Sequence, residues 1–200
     1  SGPVGRLSTE GLEEVFEEFS EIIGVGETAT YLKNLFKKSY VEHSNLADAT
    51  RYLANELFSE EGLVIIDGDD SNLKTLFAPY IKDELLHQNS FAEVSKTLIK
   101  LKEYTVQVNP REIHLFYIED NLRERIVFED KTYKILNTNY SFSESEILVE
   151  LENHPEKFSP NVILRPLFQE VILPNLCYIG GGGELAYWLE LKSNFKANNV

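Results

Sequence analysis

The sequence predicts an α/β fold: a mainly parallel sheet covered by helices, with an amino-terminal helical segment and one β-hairpin. Apolar residues recur at helical spacing through much of the chain, and short apolar runs such as Leu63-Val64-Ile65-Ile66 and Leu176-Cys177-Tyr178-Ile179 stand between the helical stretches. Four consecutive glycines then join the second run to a helix. Turns of that kind are where open α/β sheets bind ligands.

The elements follow in order. Between Thr9 and Glu27 there are seven glutamates and no base, with Leu12, Val15, Phe16, Phe19, Ile22 and Ile23 at helical spacing, so an amphipathic helix with a solvated acidic face is expected. Residues 31–40 and 45–58 read as two more helices, the second capped by Asn45. Residues 1–60 thus form a helical segment, an insertion or connecting region, and residues 61–200 carry the α/β core. Leu63-Val64-Ile65-Ile66 reads as a buried strand closed by Asp67-Gly68-Asp69-Asp70 and followed by a helix carrying Leu73, Leu76, Phe77, Tyr80 and Ile81. Ser90 and Glu93 have the spacing of a capping box that opens another helix.

After Asn109-Pro110 the period becomes two: Ile113, Leu115 and Tyr117 share one face, His114, Phe116 and Ile118 the other, so both faces are expected to be largely buried. Residues 125–128 and 132–136, joined through Glu129-Asp130-Lys131, have the pattern of a β-hairpin. Ser143 and Glu146 form a second capping-box pair, opening a short helix. A helix then runs into Pro174, packed through Leu164, Leu167, Phe168, Val171 and Ile172.

Composition narrows the function. The 200 residues, 42% apolar, suffice for one core without disulfide or metal support. Cys177, the single cysteine, has no partner for a bridge or a zinc site, which suits a reducing, cytoplasmic compartment. Nineteen basic against thirty-three acidic residues, a net charge of −14, disfavour nucleic acid and anionic membrane as partners. No apolar run is long enough to span a bilayer. A chain that opens Ser1-Gly2-Pro3 and has no methionine is expected to be a piece of something longer or a product of proteolysis.

Several side chains are chemical candidates. Gly180, Gly181, Gly182 and Gly183 before a helix invite a phosphate-cradle reading. However, Leu185 stands where a dinucleotide fingerprint needs glycine, and the Lys-Ser/Thr of a P-loop is missing. Glu184 at the helix start repels a phosphate on the axis and better suits an ammonium or hydroxyl group. The glycines can still wrap the adenine or ribose end of a nucleotide, with Trp188 or Tyr187 as a stacking face. Arg165 and Gln169, four apart on one helical face, can grip a carboxylate or amide, or simply close the helix on the sheet. Asn175 and Tyr178 lie on or beside the strand that leads to the glycines. Asp67, Asp69 and Asp70 offer either a magnesium site or a turn with a helix cap. His114 is a candidate acid or ligand, although no carboxylate or second histidine stands at ligand spacing, which favours a satisfied buried residue. Cys177, inside an apolar strand with no base beside it, reads as a buried structural cysteine.

The run N-V-I-L-R-P-L-F-Q-E-V-I-L-P-N-L-C-Y-I-G-G-G-G-E-L-A-Y-W, the segment L-V-I-I-D-G-D-D and the opening G-P-V-G-R-L together resemble the cysteine-adding ligase family of bacillithiol biosynthesis, BshC. The resemblance makes this chain an interior fragment of an enzyme that joins cysteine to the amine of glucosaminyl-malate. It implies a Rossmann-like core similar to the nucleotide-binding domain of class I aminoacyl-tRNA synthetases, ATP or another nucleotide as cofactor, and a reactive, activated carboxylate. It further implies that Arg165, Gln169, Asn175, Tyr178 and Glu184 orient substrate, while Gly180, Gly181, Gly182, Gly183 and Trp188 line a substrate or nucleotide pocket. Full-length members are possible homo-oligomers, and the fragment alone is expected to be inactive. Two other readings stand beside this one: a non-catalytic α/β domain binding a nucleotide or a protein, and a magnesium-dependent phosphotransferase built on Asp67, Asp69 and Asp70.

Overall fold

The computed structural model describes residues 2–200. The chain divides into two compact units: residues up to Gly68 together with Asp120–Leu122, and Asp69–Glu119 together with Arg123–Val200.

The first unit is helical. Its elements are α1 (Leu12–Ile23), α2 (Glu27–Phe36) and α3 (Leu46–Phe58), with a π-turn at Lys37–Val41. The acidic helix expected between Thr9 and Glu27 stops at Gly24, and Gly24 (φ 72°) and Gly26 (φ 138°) take backbone conformations that side chains disfavour, which lets α2 start as a separate helix. Lys33 Nζ donates to the Gly24 carbonyl at 2.6 Å, closing that end of α1. Phe36 stacks on Phe16 and Phe19, with ring centroids 5.9 and 4.9 Å apart, and these rings hold α1 on α2. Asn45 caps α3 as expected, its side chain accepting from the Asp48 N–H at 2.9 Å.

Residues 63–66 do not form the predicted strand. No neighbouring strand pairs with them among the described residues, and Leu63, Val64 and Ile66 are 47, 80 and 41% exposed. An apolar run becomes a strand only where a partner backbone accepts its hydrogen bonds. Here Ile65 and Ile66 instead line an open groove of about 470 Å³ with Val4, Tyr40 and Ala47.

The second unit holds the sheet. Helices α4 (Ser71–His87) and α5 (Asn89–Lys100) lead into β1 (Leu115–Glu119), β2 (Leu122–Glu129), β3 (Thr132–Ile135) and β4 (Ser141–Phe142). Then follow α6 (Glu144–Asn153), β5 (Phe158–Pro160), α7 (Arg165–Ile172), α8 (Gly182–Glu190) and α9 (Lys192–Ala197). The strand order is β4-β3-β2-β1-β5, and the sheet is antiparallel, which overturns the mainly parallel expectation. The connections explain it. A parallel pair needs a crossover of about a dozen residues or more, whereas β2 and β3 are linked only by Asp130 and Lys131, both at positive φ (52° and 60°), the backbone of a tight hairpin turn. The hairpin itself is the predicted one, with Ile126 opposite Ile135.

Both faces of β1 are covered, as the alternation required: Leu115, Tyr117 and Ile118 are at most 2% exposed. Phe77 and Ile81 of α4, Ile147 of α6 and Phe158 of β5 are fully buried and complete this core. Phe77 meets Phe168 of α7 edge-on at 5.2 Å, and the Tyr133 hydroxyl donates to the Leu85 carbonyl at 2.8 Å. A second cluster of Val94, Val108, Ile163 and Leu191, flanked by Leu98, Tyr187 and Phe195, fastens α8 and α9 to α5. The Ser143–Glu146 capping box forms as read. The Ser90–Glu93 box does not, because the Ser90 hydroxyl donates to buried Glu84 and Glu93 pairs with Lys96.

Candidate functional site

The segment from α7 to α8 brings most of the singled-out residues together. Asn161 opens it: its Oδ1 accepts from the Ile163 N–H at 2.8 Å, and Leu164, Leu167 and Phe168, at most 5% exposed, anchor α7 in the core. That anchoring leaves Arg165 and Gln169 on the opposite, open face. Arg165 Nη1 donates to Gln169 Oε1 at 3.1 Å, the predicted four-residue pair, and Nη2 donates to the Tyr187 hydroxyl at 2.6 Å. The same Nη2 lies 3.7 Å from Glu184 Oε1, with both side chains a little under half exposed. Tyr187 can hold this position because its ring packs on the Val94–Leu191 cluster.

Tyr178 belongs to the same group. Burial, followed by a hydrogen bond to Glu184 and the charge of that carboxylate, pushes the Tyr178 phenol up, while Arg165 pulls it the other way. Its ring stacks on Trp188 at 3.7 Å with an interplanar angle of 12°, and Phe195 tilts against the same indole at 5.4 Å. The indole face that sequence reasoning offered to a nucleotide is therefore covered by Tyr178. Trp188 Nε1 is buried and has no hydrogen-bond partner among the described residues.

The glycine turn works differently from its first reading. None of Gly180, Gly181, Gly182 and Gly183 has a positive φ. Residues 176–179 are not a strand, and Leu176 and Ile179 are 102 and 91% exposed. The absence of a side chain matters at Gly180 for a close approach: a Cβ there would lie 2.8 Å from the Tyr178 ring and 3.2 Å from Glu184 Oε2. At Gly181, Gly182 and Gly183 a Cβ would meet nothing within 4 Å. These three leave the start of α8 bare, and no side chain caps it.

Other candidates fall elsewhere. Asn175 Nδ2 donates to Glu170 Oε1 at 2.8 Å and joins none of the Arg165 partners. Cys177 is exposed, contrary to the buried reading, because the strand meant to bury it is not formed. Asp70 caps α4, accepting from the Asn72 and Leu73 N–H groups at 2.8 and 3.1 Å, and Asp69 pairs with the buried Lys74. Among the described residues no group of three or more His, Cys, Asp or Glu side chains is placed to hold a metal ion.

His114 is fully buried. Its Nε2 accepts from the Arg111 N–H at 2.9 Å, which places the ring proton on Nδ1, 2.7 Å from Glu84 Oε1. Glu84 also accepts from the His114 and Ser90 N–H groups, so the network is closed and structural. Sequence reasoning missed Glu84 as the partner of His114, and two partners more. The Tyr187 hydroxyl lies twenty-two positions from Arg165 and outside any local spacing. Glu190, only 3% exposed, accepts from the Gln107 and Val108 N–H groups at 2.8 and 3.1 Å and so fixes the end of α8.

A helix-covered sheet, with an arginine and a carboxylate gathered at a glycine-led helix start, makes this an α/β protein. The chain belongs to the family of the BshC N-terminal Rossmann-like domain of bacillithiol biosynthesis, whose model matches residues 1–200. It is 66% identical over 200 residues to the "Putative cysteine ligase BshC" of Flavobacterium johnsoniae, covering 100% of this chain and 38% of that protein. To the protein of the same description from Flavobacterium psychrophilum it is 62% identical over 199 residues, again 100% of this chain and 38% of the relative. A Bacillus cereus relative so described is 32% identical over 196 residues, 93% of this chain and 35% of its own length. The chain thus spans under two-fifths of the length of these relatives. Among the described residues no helix is long and apolar enough to cross a membrane.

Proposed function

We propose that this chain is the part of a cysteine ligase that binds and orients cysteine for addition to the amine of glucosaminyl-malate. One observation carries the reading: Arg165, Glu184, Tyr178 and Tyr187 converge on the open start of α8, with Arg165 and Glu184 only loosely paired at 3.7 Å. A guanidinium beside a carboxylate is the complement of a zwitterion. Arg165 donates to the cysteine carboxylate, Glu184 accepts from its ammonium, and each protein charge exchanges a loose, exposed partner for the ligand. In the complete reaction the cysteine carboxyl carbon bonds to the amine nitrogen, the bond from that carbon to its activated oxygen breaks so that the oxygen leaves with the activating group, and the amine gives up one proton to solvent.

The nucleotide that activates the carboxylate is part of the proposal for the longer protein. The start of α8 does not suit its phosphates, since Glu184 stands in the first turn and Tyr178 already covers the indole. This chain's own residues therefore hold the amino acid and exclude bulk from Gly180. The test is kinetic. In the full-length protein carrying this chain, Arg165→Gln and Glu184→Gln raise KM for cysteine about tenfold or more and leave KM for glucosaminyl-malate within about twofold. Equal effects on both substrates, or none, would refute the assignment.

A further inference from the structure

Beyond that reading, we infer a second small-molecule site on the sheet, selective for a compact oxyanion of the carboxylate or phosphate class and held by Arg111 and Arg125. The chain has six arginines. Arg6 and Arg51 pair with Asp120 and Asp48, Arg165 engages Gln169 and Tyr187, and Arg123 lies over the Phe116 ring at 3.7 Å. The guanidinium groups of Arg111 and Arg125 have neither a hydrogen bond, an ion pair nor a ring contact among the described residues, and these two line the same cleft, of about 340 Å³. In a chain with thirty-three carboxylates, two unpaired guanidinium groups sharing one cleft are a feature to explain.

The cleft is rigidly framed. The Arg111 N–H is bonded to the ring of buried His114, which fixes the backbone from which the side chain projects. Arg125 sits in β2, where its carbonyl accepts from the Leu136 N–H at 3.0 Å. Strand alternation puts Arg125, Val127 and Glu129 on one face, opposite the buried Ile126. Two carboxylates also line the cleft, Glu112 and Glu129. Glu129 is matched by Lys134 at 3.1 Å, which also reaches Asp130 at 3.6 Å, so neither cleft arginine is taken up by Glu129. Guanidinium forks fixed on a frame recognise oxyanions through paired N–H···O bonds.

The test uses the full chain, ¹⁵N-labelled, with the arginine Nε–H resonances followed during titration with inorganic phosphate and, separately, succinate, at constant ionic strength set by chloride. Saturable shifts of the Arg111 and Arg125 signals are expected with at least one probe; phosphate alone marks a phosphate site, and succinate alone a carboxylate site. Arg111→Gln and Arg125→Gln each weaken binding about tenfold, and Arg123→Gln leaves it unchanged. Absence of saturation with both probes, or saturation that persists in R111Q and R125Q, overturns the inference. Because these residues lie outside the Arg165 group, loss of cysteine binding there leaves this result intact.

Discussion

Substituting alanine along the glycine turn separates the two uses of its glycines. At Gly180 the added methyl would sit 2.8 Å from the Tyr178 ring and 3.2 Å from Glu184 Oε2. A carbon–carbon contact relaxes at about 3.5–4.0 Å, so the ring must retreat by roughly 1 Å. Tyr178 is stacked on Trp188 at 3.7 Å, and that movement breaks the stack. The cost combines overpacking, about 1–3 kcal/mol, with a lost aromatic pair, about 0.5–1.5 kcal/mol, partly offset by the backbone gain of about 0.4–1 kcal/mol on leaving glycine. Gly180→Ala is therefore expected to destabilise by about 2 kcal/mol. At Gly182 and Gly183, both inside α8 with nothing within 4 Å, alanine meets no obstacle and stabilises by about 0.5–1 kcal/mol through helix propensity. Urea unfolding followed by Trp188 fluorescence reads both effects, because it is the only tryptophan. A neutral Gly180→Ala, or a destabilising Gly182→Ala, would refute the reasoning.

Glu84→Ala strands the Nδ1–H of His114 and the N–H groups of His114 and Ser90, and is expected to cost about 3–5 kcal/mol by chemical denaturation. Asp70→Ala removes the α4 cap for about 1 kcal/mol in the same assay. The Tyr117–Glu150–Lys157 group sets a pH window. Burial raises the Glu150 carboxyl, but hydrogen bonds from Tyr117 and Lys157 outweigh it and hold the group below its ordinary 4.5, so its contribution is present above pH 4.5 and is lost as pH falls through the lowered value. Burial, then the hydrogen bond to Glu150, raises Tyr117. Burial lowers Lys157, but its bonds to Glu150 and Tyr117 overcome this and raise it. Their contributions are present below pH 10 and lost as pH rises further, a limb that Glu150→Gln should flatten in a stability-versus-pH series. Cys177 should react with a disulfide reagent in the folded chain at a rate near that of a free thiol, as its exposure requires.

Local chemistry was readable in this sequence where the partner lies within a few residues. Asn45, Asp70 and Ser143 cap the helices they precede, the Asp130-Lys131 turn makes the hairpin, and Arg165 meets Gln169 one helical turn away. What failed depended on remote partners. Residues 63–66 and 176–179 have the composition of buried strands, but composition does not supply a neighbouring strand, and both runs lie exposed. Counting them as strands between helices produced the parallel expectation, whereas β1 pairs antiparallel with β5, which follows only after β2, β3, β4 and α6. Ser90 shows the same limit: its capping spacing is intact, but a buried glutamate and histidine from other elements take its hydroxyl. Tyr187 was legible only as an aromatic surface, since its hydroxyl finds Arg165 through the packing of α8 on α5.

The most direct measurement is calorimetric titration of the full-length protein carrying this chain with cysteine, repeated on Arg165→Gln and Glu184→Gln. Saturable binding that each substitution weakens about tenfold or more is the predicted result. Binding that both variants retain unchanged would place the amino acid elsewhere and contradict the account.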